Sequence, residues 1–86
     1  MKTIFRIISQ GETQTINTQN GQSQKSTVVL QELGGRYENT FAATLLGNQI
    51  TLSANEIVAA SLRFTVHEYN GQHYQDITIQ DIIKLR

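Results

Sequence analysis

Asn70-Gly71 stands between two long β-rich runs, SLRFTVHEY at 61–69 and QHYQDITIQDII at 72–83. A two-residue type I′ turn needs positive φ at both central positions, and Asn-Gly meets that demand most readily. The pair therefore predicts a hairpin, and a two-residue loop leaves one register to count out. Tyr69 opposes Gln72, Glu68 opposes His73, His67 opposes Tyr74 and Val66 opposes Gln75. Thr65 then opposes Asp76, Phe64 opposes Ile77, Arg63 opposes Thr78 and Leu62 opposes Ile79.

Opposed residues share a face of the sheet, and successive pairs alternate between faces. One face collects Leu62, Phe64, Val66, Ile77 and Ile79 and is expected to meet the core. The other collects Arg63, Thr65, His67, Tyr69, Gln72, Tyr74, Asp76 and Thr78 and is expected to meet solvent. His67 and His73 fall on opposite faces, so they do not converge on one ion, and the chain has no cysteine to complete a metal site. His73 is instead expected to pair with Glu68 across the strands.

The same β-rich character runs through the rest of the chain. Residues 3–8 and 13–17 read as one long first strand bent at Gly11, since a glycine inside a strand pattern often marks a bulge. The polar stretch 18–24, centred on Asn20-Gly21, reads as an exposed hairpin loop. A second strand is expected from Lys25 to Leu33. The glycines of Gly34-Gly35 supply a turn, and a third strand runs from Thr40 to Leu46 with Phe41, Ala43 and Leu45 on one face. Ser53 and Glu56 have the spacing of a helix capping box, so 53–58 is expected to form about one helical turn or an extended loop. The fourth and fifth strands are the arms of the Asn-Gly hairpin, from Ala59 to Glu68 and from His73 to Ile83.

Eighty-six residues make one domain, with a core that must be thin. Seven Lys and Arg balance seven Asp and Glu, which is not the charge of a strongly cationic nucleic-acid binder. The absence of cysteine is compatible with a reducing compartment. No apolar run approaches the length of about 20 residues that a membrane helix needs, and Arg6 interrupts the short N-terminal apolar stretch. A soluble, cytoplasmic protein is the expectation. No nucleophile elbow, paired catalytic acids or phosphate-binding glycine loop appears. Neither an enzymatic activity nor a cofactor, metal or small-molecule substrate is therefore expected.

Five strands, with a short helical or irregular link between the third and fourth, describe an all-β fold, a small Greek-key barrel of the OB type. An SH3-like barrel has the same element count. The residues themselves resemble a family of short bacterial OB-fold proteins, widespread in Bacteroidetes and related to single-stranded-DNA-binding proteins. The runs VVLQELGGRYENTFAATLLGN at 28–48 and SLRFTVHEYNGQHYQDITIQDIIKL at 61–85 carry the likeness. Its motifs are Val29-Leu30 through Gly35-Arg36-Tyr37, and Phe64 through Glu68-Tyr69-Asn70-Gly71 to Tyr74 and Asp76. Gln72 stands where such relatives often place Lys or Arg, and Gln80 where they place an aromatic. Both differences point to weaker nucleic-acid binding.

The resulting expectation is a non-enzymatic module that binds single-stranded DNA or RNA across the second and third strands and between the first and last hairpin loops. Tyr37, His67, Tyr69 and Tyr74 would stack bases, at roughly 1–3 kcal/mol per base, and Lys25, Arg36 and Arg63 would meet phosphates. With only about two or three phosphate contacts, each contributing about −0.7 to the salt slope, binding would be weak, stacking-dominated and unselective for sequence. Tyrosine and arginine are also favoured at protein interfaces. A protein-interaction module using the same face is the alternative, and an oligosaccharide binder a third. An exposed strand edge makes a homodimer an expected partner state.

Overall fold

The computed structural model of the chain describes residues 2–34 and 39–85. It contains six strands: β1 (Thr3–Gln10), β2 (Gln14–Thr18), β3 (Gly21–Glu32), β4 (Thr40–Leu46), β5 (Ile57–Tyr69) and β6 (Gln72–Lys84). They form one sheet in the order β1-β5-β6-β4-β3-β2, and β1 also pairs with β3. The pairings thus close into a ring of five strands, with β2 outside it. Every pairing is antiparallel except β4 with β6, which meet in parallel where Thr44 lies beside Thr78. Among the described residues no helix is long and apolar enough to cross a membrane.

The sixth strand arises by division of the first. Gln10 opposes Val28 and Gln14 opposes Lys25, so residues 11–13 face only two residues of β3 and the ladder is interrupted there. The bend expected at Gly11 is this interruption. A second irregularity, between Ile7 and Ser9, leaves Ile8 exposed while Phe5 and Ile7 stay buried.

Two local expectations need correction. The stretch 18–24 is not an open loop: β3 begins at Gly21, the turn is Gln19-Asn20, and Thr18 opposes Gly21. A ladder is held by backbone groups, so a polar hairpin forms without apolar side chains. Positive φ falls on Gly21, at 114°, and not on Asn20. Residues 53–58 likewise form no helical turn. Glu56 N–H donates to the Ser53 carbonyl at 3.1 Å, closing a tight turn with Asn55 at φ 73°. The Ser53 N–H donates to Glu56 Oε1 as a capping box would. However, Asn55 N–H donates to Ile7 C=O and Ile7 N–H to Glu56 C=O. The neighbouring strand takes the backbone groups that a helix would have used internally.

Phe5, Ile7, Val28, Leu30, Ala43, Leu45, Leu52, Val58, Ala60 and Ile79 make the buried core inside the ring. Phe41 packs at its margin, so the expected apolar face of β4 is the observed one. In β6 the register shifts between Leu62, which opposes Ile79, and Ser61, which opposes Asp81. Gln80 is the extra residue of this bulge. An extra residue resets the alternation of faces, and this one lets Ile82 join Ile77 and Ile79 against the core.

Candidate functional site

Asn70 at φ 52° and Gly71 at φ 77° close the β5–β6 hairpin, and all eight pairs counted from the sequence are found, from Tyr69 with Gln72 to Leu62 with Ile79. The hairpin reaches well past the closed part of the ring. β5 pairs with β1 only from Ile57 to Ala60, and β6 meets β4 only at Thr78. Residues beyond these points form a two-stranded arm.

The outer face of this arm carries the candidate residues. Tyr69 is 68% and Tyr74 49% exposed, and the Tyr74 hydroxyl donates to Gln72 Oε1 at 2.6 Å. His67, opposed to Tyr74, lies with its Nε2 2.8 Å from Asp76 Oδ2. Any positive charge on its imidazole is therefore met by a carboxylate on the same face. The ion pair expected between Glu68 and His73 is not formed; His67 and Asp76 pair on the other face, as same-face diagonal neighbours on paired strands can. Arg63 is exposed and ends a row that crosses four strands, Thr27, Thr44, Thr78 and Arg63.

Lys25 sits apart from this group. It is half-buried and opposes Leu46, two residues beyond the Thr44–Thr78 bridge, whereas Tyr74 lies four residues to the other side. Six residues of strand rise separate them, about 20 Å at 3.3 Å per residue. Lys25 lines a separate polar groove with Glu12, Gln14, Thr27 and Thr44. The structure brings together Arg63, His67, Tyr69 and Tyr74 and leaves Lys25 outside; Arg36 and Tyr37 lie outside the described residues.

The inner face of the arm departs from expectation. Leu62, Ile77 and Ile79 pack on the core, but Phe64 is 50% and Val66 66% exposed. They are half-exposed or more because β1 pairs with β5 no farther than Ala60 and, among the described residues, β4 is bridged to β6 only at Thr78. The Phe64 ring meets Phe41 edge-on at 6.0 Å between centroids, and Phe41 meets the buried Phe5 in the same way at 6.3 Å. Beside this ladder lies a cleft lined by Thr3, Phe5, Glu32, Phe41, Ala60, Leu62 and Phe64. Alternation along a strand reports a face and not its covering, which is why the sequence expectation places Phe64 and Val66 against the core.

The shifted carboxyls lie away from the arm. Glu56 is held below the usual carboxylate range chiefly by the Ser53 backbone N–H, with Lys84 Nζ 3.5 Å away adding to it. Asp81 is held down by the hydrogen bond and charge of Lys2, whose Nζ lies at 2.8 Å. Among the described residues no three His, Asp or Glu side chains are placed to share a metal ion. Compared with known protein families, with curated proteins and with solved structures, the chain matches none.

Proposed function

We propose that this chain is an OB-fold module that binds single-stranded nucleic acid, without enzymatic activity, by stacking bases on the outer face of the β5–β6 arm. The ring order β1-β5-β6-β4-β3, with β4 and β6 parallel and the remaining pairs antiparallel, supports the barrel part of the reading. Five strands in a partly open Greek-key closure are how such barrels manage their edges. The observation that carries the functional part is the joint exposure of Tyr69 and Tyr74 on one face with Arg63. An aromatic surface is sequence-tolerant because every base has a π-face.

One arginine set against Asp76 gives that face little net charge, so phosphate contacts contribute modestly and stacking dominates. The test is fluorescence anisotropy of a labelled dT oligomer of about 20 nucleotides, a length spanning the site sizes of such folds, against its duplex at two salt concentrations. Preference for the single strand with a shallow salt dependence is the expected result. No binding at low salt overturns the reading. A protein-interaction role is the second reading, and the exposure of Phe64 and Val66 on the inner face is what favours it.

A further inference from the structure

Along β5 the arm leaves one backbone edge open. A type I′ turn is closed by the C=O of its first residue and the N–H of its fourth, so Tyr69 and Gln72 form a hydrogen-bonded pair. Such pairs alternate along an antiparallel ladder. Residues 67, 65 and 63 therefore direct their N–H and C=O groups to β6, while Leu62, Phe64, Val66 and Glu68 direct theirs to the opposite edge. From Leu62 to Tyr69 that edge has no ladder partner among the described residues. The residues presenting it include Phe64 and Val66, whose side chains are also exposed.

We infer that a second copy of this chain pairs with that edge, β5 to β5 in antiparallel register about Thr65, joining the two arms into one four-stranded sheet. The edge itself selects this occupant. A two-fold axis normal to the sheet keeps like faces together, so paired residues must have the same parity and the axis must pass through a residue position. Centred on Thr65, Phe64 opposes the partner's Val66 and Val66 opposes the partner's Phe64. Aromatic with β-branched is a favourable cross-strand pair, and both members bring the outward-directed backbone groups that bond across the new seam. Leu62 opposes the partner's Glu68, and beyond that point the partner's turn reaches the start of β1, which limits the pairing to the arm. A centre at Phe64 would shift the overlap toward β1, and a centre at Val66 would set Phe64 against the partner's Glu68 in place of Val66.

The seam is short compared with the roughly 800 Å² per partner of a standard interface, so the dimer is weak and concentration-dependent. It sets the two outer faces side by side, with Arg63 of each copy opposite the partner's His67. The inference stands on the backbone edge and the inner face and does not depend on what the outer face binds.

The test uses the absence of cysteine from the chain. Thr65 opposes the partner's Thr65 in a non-hydrogen-bonded pair, where Cα atoms lie about 4.5 Å apart, within the span of a disulfide. In a glutathione redox buffer, Thr65→Cys is expected to give a disulfide dimer on the order of tenfold more readily than Arg63→Cys, a difference of about 1.4 kcal/mol. Equal cross-linking of the two, or none with Thr65→Cys, overturns the inference. Sedimentation velocity up to about 1 mM, the scale of a weak association, provides a second measurement. Val66→Pro removes an N–H that no intramolecular ladder uses, and Phe64→Lys puts a charge on the seam. Both are expected to weaken self-association, and Ile83→Lys, on another face, to leave it unchanged. A monomer at every concentration, or a dimer that survives both arm substitutions, overturns it. Should the arm variants fail to fold, as far-ultraviolet circular dichroism would reveal, the Thr65→Cys comparison still decides.

Discussion

The Ser26 hydroxyl donates to Gln49 Oε1 at 2.6 Å, within a cluster that fastens the link after β4 to the first and third strands. Ser26 is 3% exposed and is the one buried polar residue among the described residues. Gln10 Nε2 donates to Ser26 Oγ and to Ile50 C=O, and Gln10 Oε1 accepts from Leu52 N–H. Gln49 Nε2 reaches the carbonyls of Leu45 and Gly47. Removing one partner leaves the others unmet at about 1–3 kcal/mol per buried group. Ser26→Ala and Gln49→Ala are each expected to lower the melting midpoint by about 4–8 °C per kcal/mol lost in a domain of this size. A midpoint within a degree of the parent would show that water replaces the cluster.

Gly71 holds φ 77°, and a Cβ there would meet nothing within 4 Å. The cost of Gly71→Ala is therefore one of backbone conformation alone, about 1–2 kcal/mol for an L-residue in the left-handed region. Urea unfolding followed by circular dichroism measures it. Gly11 has no positive φ, so Gly11→Ala should cost clearly less.

Tyr69 and Tyr74 are exposed and support no core residue, so replacing either with Ala should change stability by no more than about 0.5 kcal/mol. On the proposed function each replacement weakens binding of the dT oligomer by about 1–3 kcal/mol. Anisotropy titrations of the two variants, paired with thermal melts, separate the effects. Unchanged affinity in both would move the site off the arm.

Arg63 shares the arm face with the tyrosines, whereas Lys25 lies beyond the Thr44–Thr78 bridge. Arg63→Gln should therefore reduce the salt slope for a short oligomer by about 0.7. Lys25→Gln should leave that slope unchanged and affect only oligomers long enough to reach it. Equal effects on a hexamer would contradict the separation.

Glu56 and Asp81 titrate below the usual carboxylate range in the folded chain. A lowered folded value stabilises the fold above the unfolded value, near pH 4 for these groups, and that contribution is lost as pH falls through the folded value. Stability is expected to decline on acidification through and below about pH 4, with a shallower decline in Glu56→Gln. Chemical denaturation at several pH values checks the sign: stability that rises on acidification would contradict it.

The β5–β6 register was legible because it is local. Asn70-Gly71 defines a two-residue loop, and with strand periodicity of two every pair from Tyr69 to Leu62 follows by counting. The same arithmetic sorted His67 from His73 and gathered Tyr69, Tyr74 and Arg63 on one face. Periodicity assigns a side chain to a face but carries no information about where along the strand the facing layer ends. Only the tertiary structure decided that Leu62 packs on the core while Phe64 and Val66 stay largely exposed, because the cover depends on where β1 begins and where β6 parts from β4. It likewise decided that Thr44 lies beside Thr78 and that Lys25 stands far from the tyrosines, since both depend on a parallel contact between strands distant in sequence. The Ser53–Glu56 segment shows the same limit: its residues suit a helix start, and pairing with Ile7 made it a turn.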